Sequence, residues 1–137
     1  GLKDELAARS GLAPATGEGD MLLRLRRARR GAGWDVLLRV SPRPLATRAW
    51  RVCNMPGAPN ATLAHAMMRL SEPAAEDVIL NMACGSGTLL VERLALGPAA
   101  QCIGCDVDAA ALVCARANLA AAGYAARLEP VDYWPTA

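Results

Sequence analysis

Phenylalanine is absent from the chain, and aromatics make up only 4% of its 137 residues. A core of stacked rings is excluded; Ala and Leu must fill it, which points to helices lying close against a sheet. Long apolar runs are missing too. None approaches the ~20 residues a membrane-spanning helix needs, so no membrane partner is expected. Disorder is excluded from the other side, because 53% hydrophobic residues suffice for a packed core in a chain of this length. Histidine occurs once; no Ser, Cys or carboxylate partner for His65 is placed by the sequence, so a surface or packing role fits it better than catalysis. No second Cys or His pair stands at zinc spacing, so Cys102-Ile-Gly-Cys105 reads as part of one apolar strand and no metal is expected. No signal peptide is expected, and five cysteines is an odd count. Both features predict reduced thiols and a cytoplasmic location. The first residue is Gly, which reads as a processed start or an excised piece.

Charge is unevenly placed. Residues 24 to 51 carry Arg24, Arg26, Arg27, Arg29, Arg30, Arg39, Arg43, Arg48 and Arg51 against one acid, Asp35. Residues 52 to 137 carry Arg69, Arg93, Arg116 and Arg127 against eight acids. A basic front half suggests a surface facing a polyanion, or else a solvated hairpin face.

Periodicity divides the chain in two. A short helix over 2–12 and a turn-rich stretch over 13–19 precede a half-buried strand over 21–29. The turn Arg30-Gly-Ala-Gly33 returns the chain along 34–40, and 45–53 is a further extended piece. Asn60 or Thr62 caps a helix to Leu70, with apolar positions Leu63, Ala66, Met67 and Leu70 at helical spacing. Strand 77–81, helix 88–96, strand 101–106, helix 108–122 and strand 126–131 then alternate as in a parallel α/β sheet. The expected domains are 1–56, a helix with a basic β-hairpin, and 57–137, an α/β cofactor-binding domain.

The most informative segment is Asn81-Met-Ala-Cys-Gly-Ser-Gly-Thr88, a glycine turn between a strand and a helix. Such a turn offers backbone N–H groups and close approach to a nucleotide-like ligand. A dinucleotide site wants a third glycine at G-x-G-x-x-G, and here that glycine is lacking. Asn81 adds a polar side chain at the strand end, which suits a cofactor with an amino-acid moiety. Asp106 ends the next strand, where its carboxylate can accept ribose hydroxyls. Asp108 reads as the cap of the following helix. Asp132 closes the third strand, where it can accept from an exocyclic adenine amine.

Asn81 to Thr88 closely resembles the first motif of class I S-adenosylmethionine-dependent methyltransferases, and especially that of the RNA guanine-N2 methyltransferases. Pro42-Arg-Pro-Leu45, Arg48-Ala-Trp-Arg51 and Pro56-Gly-Ala-Pro-Asn60 resemble the segment before that motif. Gly104-Cys-Asp-Val-Asp108 resembles the second motif and Val131-Asp132 the third, although Tyr133-Trp134 departs from the small and polar residues expected there. The resemblance implies a Rossmann-like fold, the first half of a doubly wound parallel sheet in strand order 3-2-1. It implies S-adenosylmethionine held by Asn81, Cys84, Gly85, Gly87, Thr88, Asp106 and Asp132, with Asn60 and Thr62 near the methionine end. It implies an RNA partner, tRNA or rRNA, met by Arg43, Arg48, Arg51 and Asn60.

The family's Asn/Asp-Pro-Pro-aromatic motif is absent from these residues, so the catalytic residues are expected beyond residue 137. A piece ending before a fourth strand is expected to dimerise or swap through the open edge of strand 77–81. Two other readings stay open: a cofactor-binding module without activity, and a methyltransferase of DNA, protein or a small molecule.

Overall fold

The computed structural model describes residues 1–17, 19, 21–41 and 43–131. The chain forms two compact units, Gly1–Pro44 and Leu45–Ala137. The first contains helix α1 (Leu2–Ser10) and strands β1 (Leu22–Arg27) and β2 (Trp34–Arg39). Helix α1 ends on Gly11 in the left-handed region. The strands pair antiparallel, with Leu25 opposite Val36 and Arg26 opposite Asp35. Opposed residues share a face and alternate residues switch faces. One face therefore carries Leu23, Leu25, Val36, Leu38 and Trp34, with the Arg27 guanidinium 5.9 Å from the Trp34 ring centroid. The other carries Arg24, Arg26 and Arg39, with Arg26 donating to Asp35 at 3.0 Å.

The second unit holds α2 (Ala61–Leu70), β3 (Val78–Asn81), α3 (Thr88–Leu94), β4 (Gln101–Cys105), α4 (Ala109–Ala121) and β5 (Arg127–Glu129). The three strands form one parallel sheet in the order β3-β4-β5. The α/β alternation expected from periodicity is present. Leu90, Val91, Cys102, Leu112, Ala115 and Leu119 form the core with Cys84, and Trp50 and Ile79 pack against it. Gly104 permits this approach. A Cβ there would lie 2.6 Å from Leu90 Cδ1 and 3.1 Å from the Cys84 sulfur. Among the described residues strand β3 pairs only with β4, and its Val78 and Leu80 are exposed.

Four expectations change. Residues 45–56, grouped by composition with the hairpin, fold with the second unit, because Arg48, Arg51 and Cys53 bond to α3 and α4. Residues 45–53 run through successive turns rather than an extended strand. Helix α2 buries Ala61 and Ala64, not the stripe Leu63, Met67 and Leu70, which is exposed; the small alanines allow close approach to α3. Finally, the cysteines are not all reduced. Cys53 and Cys114 form a disulfide, their Cα atoms brought to 5.4 Å across 61 residues of sequence. Cys84, Cys102 and Cys105 are free and buried. Among the described residues no helix is long and apolar enough to cross a membrane, and no group of three or more His, Cys, Asp or Glu could hold a metal ion.

Candidate functional site

The site grows from the carboxyl ends of β3 and β4. Asn81 ends β3 opposite Gly104. It is half-buried, and its side chain makes no hydrogen bond among the described residues. The chain then turns. The Cys84 N–H donates to the Cys105 carbonyl at 2.8 Å, fastening the turn to the end of β4, and the Gly87 N–H donates to the Cys84 carbonyl at 2.8 Å. Gly85 and Gly87 both have positive φ, 52° and 75°, which costs a residue with a Cβ about 1–2 kcal/mol.

The two glycines differ in their surroundings. A Cβ on Gly87 would lie 3.1 Å from Ala115 Cβ and 3.2 Å from its Cα, so this glycine also lets α4 pack under the turn. A Cβ on Gly85 would meet nothing within 4 Å. The open side of the turn is thus at Gly85.

Asp106, one residue beyond β4, faces the same place. Its Oδ2 accepts from the Gly85 N–H at 2.8 Å and its Oδ1 from the Asp108 N–H at 3.0 Å. Each carboxylate oxygen retains a lone pair for a further donor. Asp108 caps α4 as expected, accepting from the Ala110 N–H at 2.8 Å. Asp132 lies outside the described residues.

Cys84 and Thr88 face inward. Burial first, then the negative Asp106, pushes the Cys84 thiol up to about 11. It is a neutral core group at neutral pH, not a nucleophile. Thr88 is buried, and its hydroxyl accepts from Arg51 at 3.0 Å. The N-cap of helix α3 is Gly87.

Three of the residues expected to meet a substrate have intramolecular partners. Arg48 donates through Nε to Glu92 Oε1 at 2.7 Å and also bonds the Leu45 carbonyl. Arg51 donates to Thr88 and to the Pro59 carbonyl. Asn60 caps α2, accepting from the Thr62 N–H at 2.9 Å. Thr62 is exposed on that helix. Arg43 is exposed and belongs to the first unit.

Two polar residues that sequence reasoning missed hold this arrangement together. Glu92, 2% exposed, accepts from Arg48 and lies 2.9 Å from Nδ1 of His65. It is the carboxylate partner of His65 that lies 27 residues away and that spacing along the chain could not reveal. Asn118, fully buried, bonds both Cys53 and Ser86. Its polarity on an Ala-rich helix was the available signal.

Residues 48–133 match the family model of the RMKL-like methyltransferase domain. The chain belongs to this family. A protein of Bos taurus named U6 snRNA (guanine-N(2))-methyltransferase THUMPD2 is 37% identical over 87 residues. That alignment covers 63% of this chain and 17% of the bovine protein, so the chain spans a small part of the relative's length. The methyltransferase match takes in the whole glycine turn and the Asp106 strand end. It starts inside the second unit, and the Arg-rich hairpin lies before it.

Proposed function

We propose that the chain is the cofactor-binding part of an S-adenosylmethionine-dependent RNA methyltransferase that modifies guanine N2. One observation carries the cofactor reading beyond family membership. Of the turn's two glycines only Gly85 is open, and it lies between an unpartnered amide, Asn81, and a carboxylate, Asp106, at adjacent strand ends. The residues fit the cofactor's two polar ends. Asn81 would hold the amino-acid group and Asp106 the ribose hydroxyls, while Gly85 and Gly87 shape the backbone between them and Asp132 would meet the adenine. When bound, the cofactor supplies a methyl group on a sulfonium cation. Asp106 keeps the turn in register with β4 through the Gly85 N–H, and the buried Cys84 and Leu90 keep water from beneath it. The three parallel strands agree with the first half of a doubly wound, Rossmann-like sheet.

The RNA reading draws on the likeness to THUMPD2 and on the basic hairpin. With Arg48 and Arg51 engaged within the fold, the phosphate contacts fall to Arg24, Arg29, Arg30, Arg39 and Arg43. A tRNA, an rRNA or a small nuclear RNA fits this reading as the substrate. The open edge of β3 supports self-association of this chain when it is isolated.

The decisive experiment is isothermal titration with S-adenosylmethionine. Asp106→Asn keeps the side chain's size but replaces one accepting oxygen by a donor. The expected result is loss of measurable binding with the protein still folded; unchanged affinity would remove Asp106 from the site and with it the cofactor assignment.

A further inference from the structure

The glycine turn is held from below by a buried side chain. Asn118, on α4, is fully buried. Its Oδ1 accepts from the Cys53 N–H at 2.9 Å, and its Nδ2 donates to the Cys53 carbonyl at 2.8 Å and to the Ser86 carbonyl at 2.9 Å. Three of its four hydrogen-bonding positions are thus used. A carboxylate could not make the two donations, and an apolar residue could make none of the three bonds.

Ser86 is the residue between the two positive-φ glycines. Its hydroxyl lies 3.3 Å from that of Thr88, which in turn accepts from Arg51. The turn is therefore gripped at the Ser86 carbonyl by Asn118 and at Thr88 by Arg51. The disulfide partner Cys114 lies one helical turn before Asn118 and also holds Cys53. The two tethers differ in reach. The disulfide ties segment 50–53 to α4, whereas Asn118 carries that tie on to the Ser86 carbonyl of the turn.

We propose that Asn118 is a positioning residue for cofactor binding: it sets the Ser86 peptide, and through it the Gly85 backbone that faces Asp106. This rests on the cofactor reading above. A role confined to stability would lower the melting temperature and leave the affinity of the folded protein unchanged. A positioning role lowers affinity at temperatures where the variant is fully folded. Arg93 supplies the control. It is equally buried but sits near the other end of α3, bonding the Ala74, Gly97 and Pro98 carbonyls away from the turn.

The test is calorimetric titration of S-adenosylmethionine into the full-length natural protein, with circular dichroism fixing a temperature well below each melting point. Asn118→Ala is expected to weaken binding about tenfold, the effect of one lost buried hydrogen bond. Arg93→Met is expected to lower the melting temperature with unchanged affinity. Affinity of Asn118→Ala within about twofold of the unsubstituted protein overturns the proposal while leaving the cofactor reading intact. Failure of the unsubstituted protein to bind overturns both. Should Asn118→Ala not fold, the 15N-labelled unsubstituted protein decides. Its Asn118 side-chain amide signals are expected to shift on adding S-adenosylmethionine, and signals that stay fixed overturn the proposal.

Discussion

Gly85 and Gly87 look alike in the sequence and do different work in the structure. Both need a positive φ, but only Gly87 has another chain segment against it. Gly85→Ala should cost about 1–2 kcal/mol of stability. Gly87→Ala adds a contact 3.2 Å from Ala115 Cα, and about 1–3 kcal/mol more for overpacking. Thermal denaturation of the two variants checks the difference; equal losses would mean that α4 is not seated under the turn. Titration should then show weakened cofactor binding for Gly85→Ala despite its milder folding defect. The turn itself was legible because strand, glycines and helix are contiguous. The separate duties of its two glycines were not, because Ala115 lies 28 residues on and comes underneath only when α4 packs. The same limit applies to Glu92 and Asn118, whose partners His65 and Cys53 are distant in sequence.

At the level of elements, alternation of apolar segments was enough to place every helix and strand among the described residues of the second unit. It was not enough to place segment 45–60, which has no period because buried polar bonds hold it in place. Arg48 and Glu92 join that segment to α3, with Glu92 2% exposed. Arg48→Ala would leave the buried carboxylate with His65 as its one partner among the described residues. The expected loss is about 3 kcal/mol, since removing one partner strands a buried charge; urea unfolding of the variant checks it, and a change below about 0.5 kcal/mol would mark the pair as incidental. A second ion pair makes an element's stability depend on pH. The Ala74 N–H, and then the Arg93 guanidinium, hold the Asp77 carboxyl below its ordinary 3.8. Because the folded value is the lower one, the pair stabilises the fold above 3.8, and that contribution disappears as the pH falls through the depressed value. Asp77→Asn should therefore lower stability at neutral pH and flatten the acid limb of a melting-temperature profile. An acid limb unchanged by the substitution would show that Asp77 is not linked to folding.

The whole molecule divides its chemistry between two units. Every member of the core cluster, from Trp50 to Leu128, belongs to Leu45–Ala137. Seven of the nine arginines between residues 24 and 51 precede Leu45. A protein lacking residues 1–44 should therefore keep its parallel sheet and bind S-adenosylmethionine within about twofold of the intact chain, because a unit with its own core can fold alone. RNA binding should respond differently. Each phosphate neutralised contributes about 0.7 to 0.9 to the slope of log affinity against log salt concentration. If the hairpin arginines meet the RNA backbone, removing them should weaken binding and flatten that slope by about 2 to 5. If the hairpin is only a solvated face, the slope will be the same with and without it. Filter binding of a guanine-containing stem-loop across a salt series separates the two outcomes. Pairing each salt point with a cofactor titration shows whether any loss comes from the RNA surface alone or from the second unit as well.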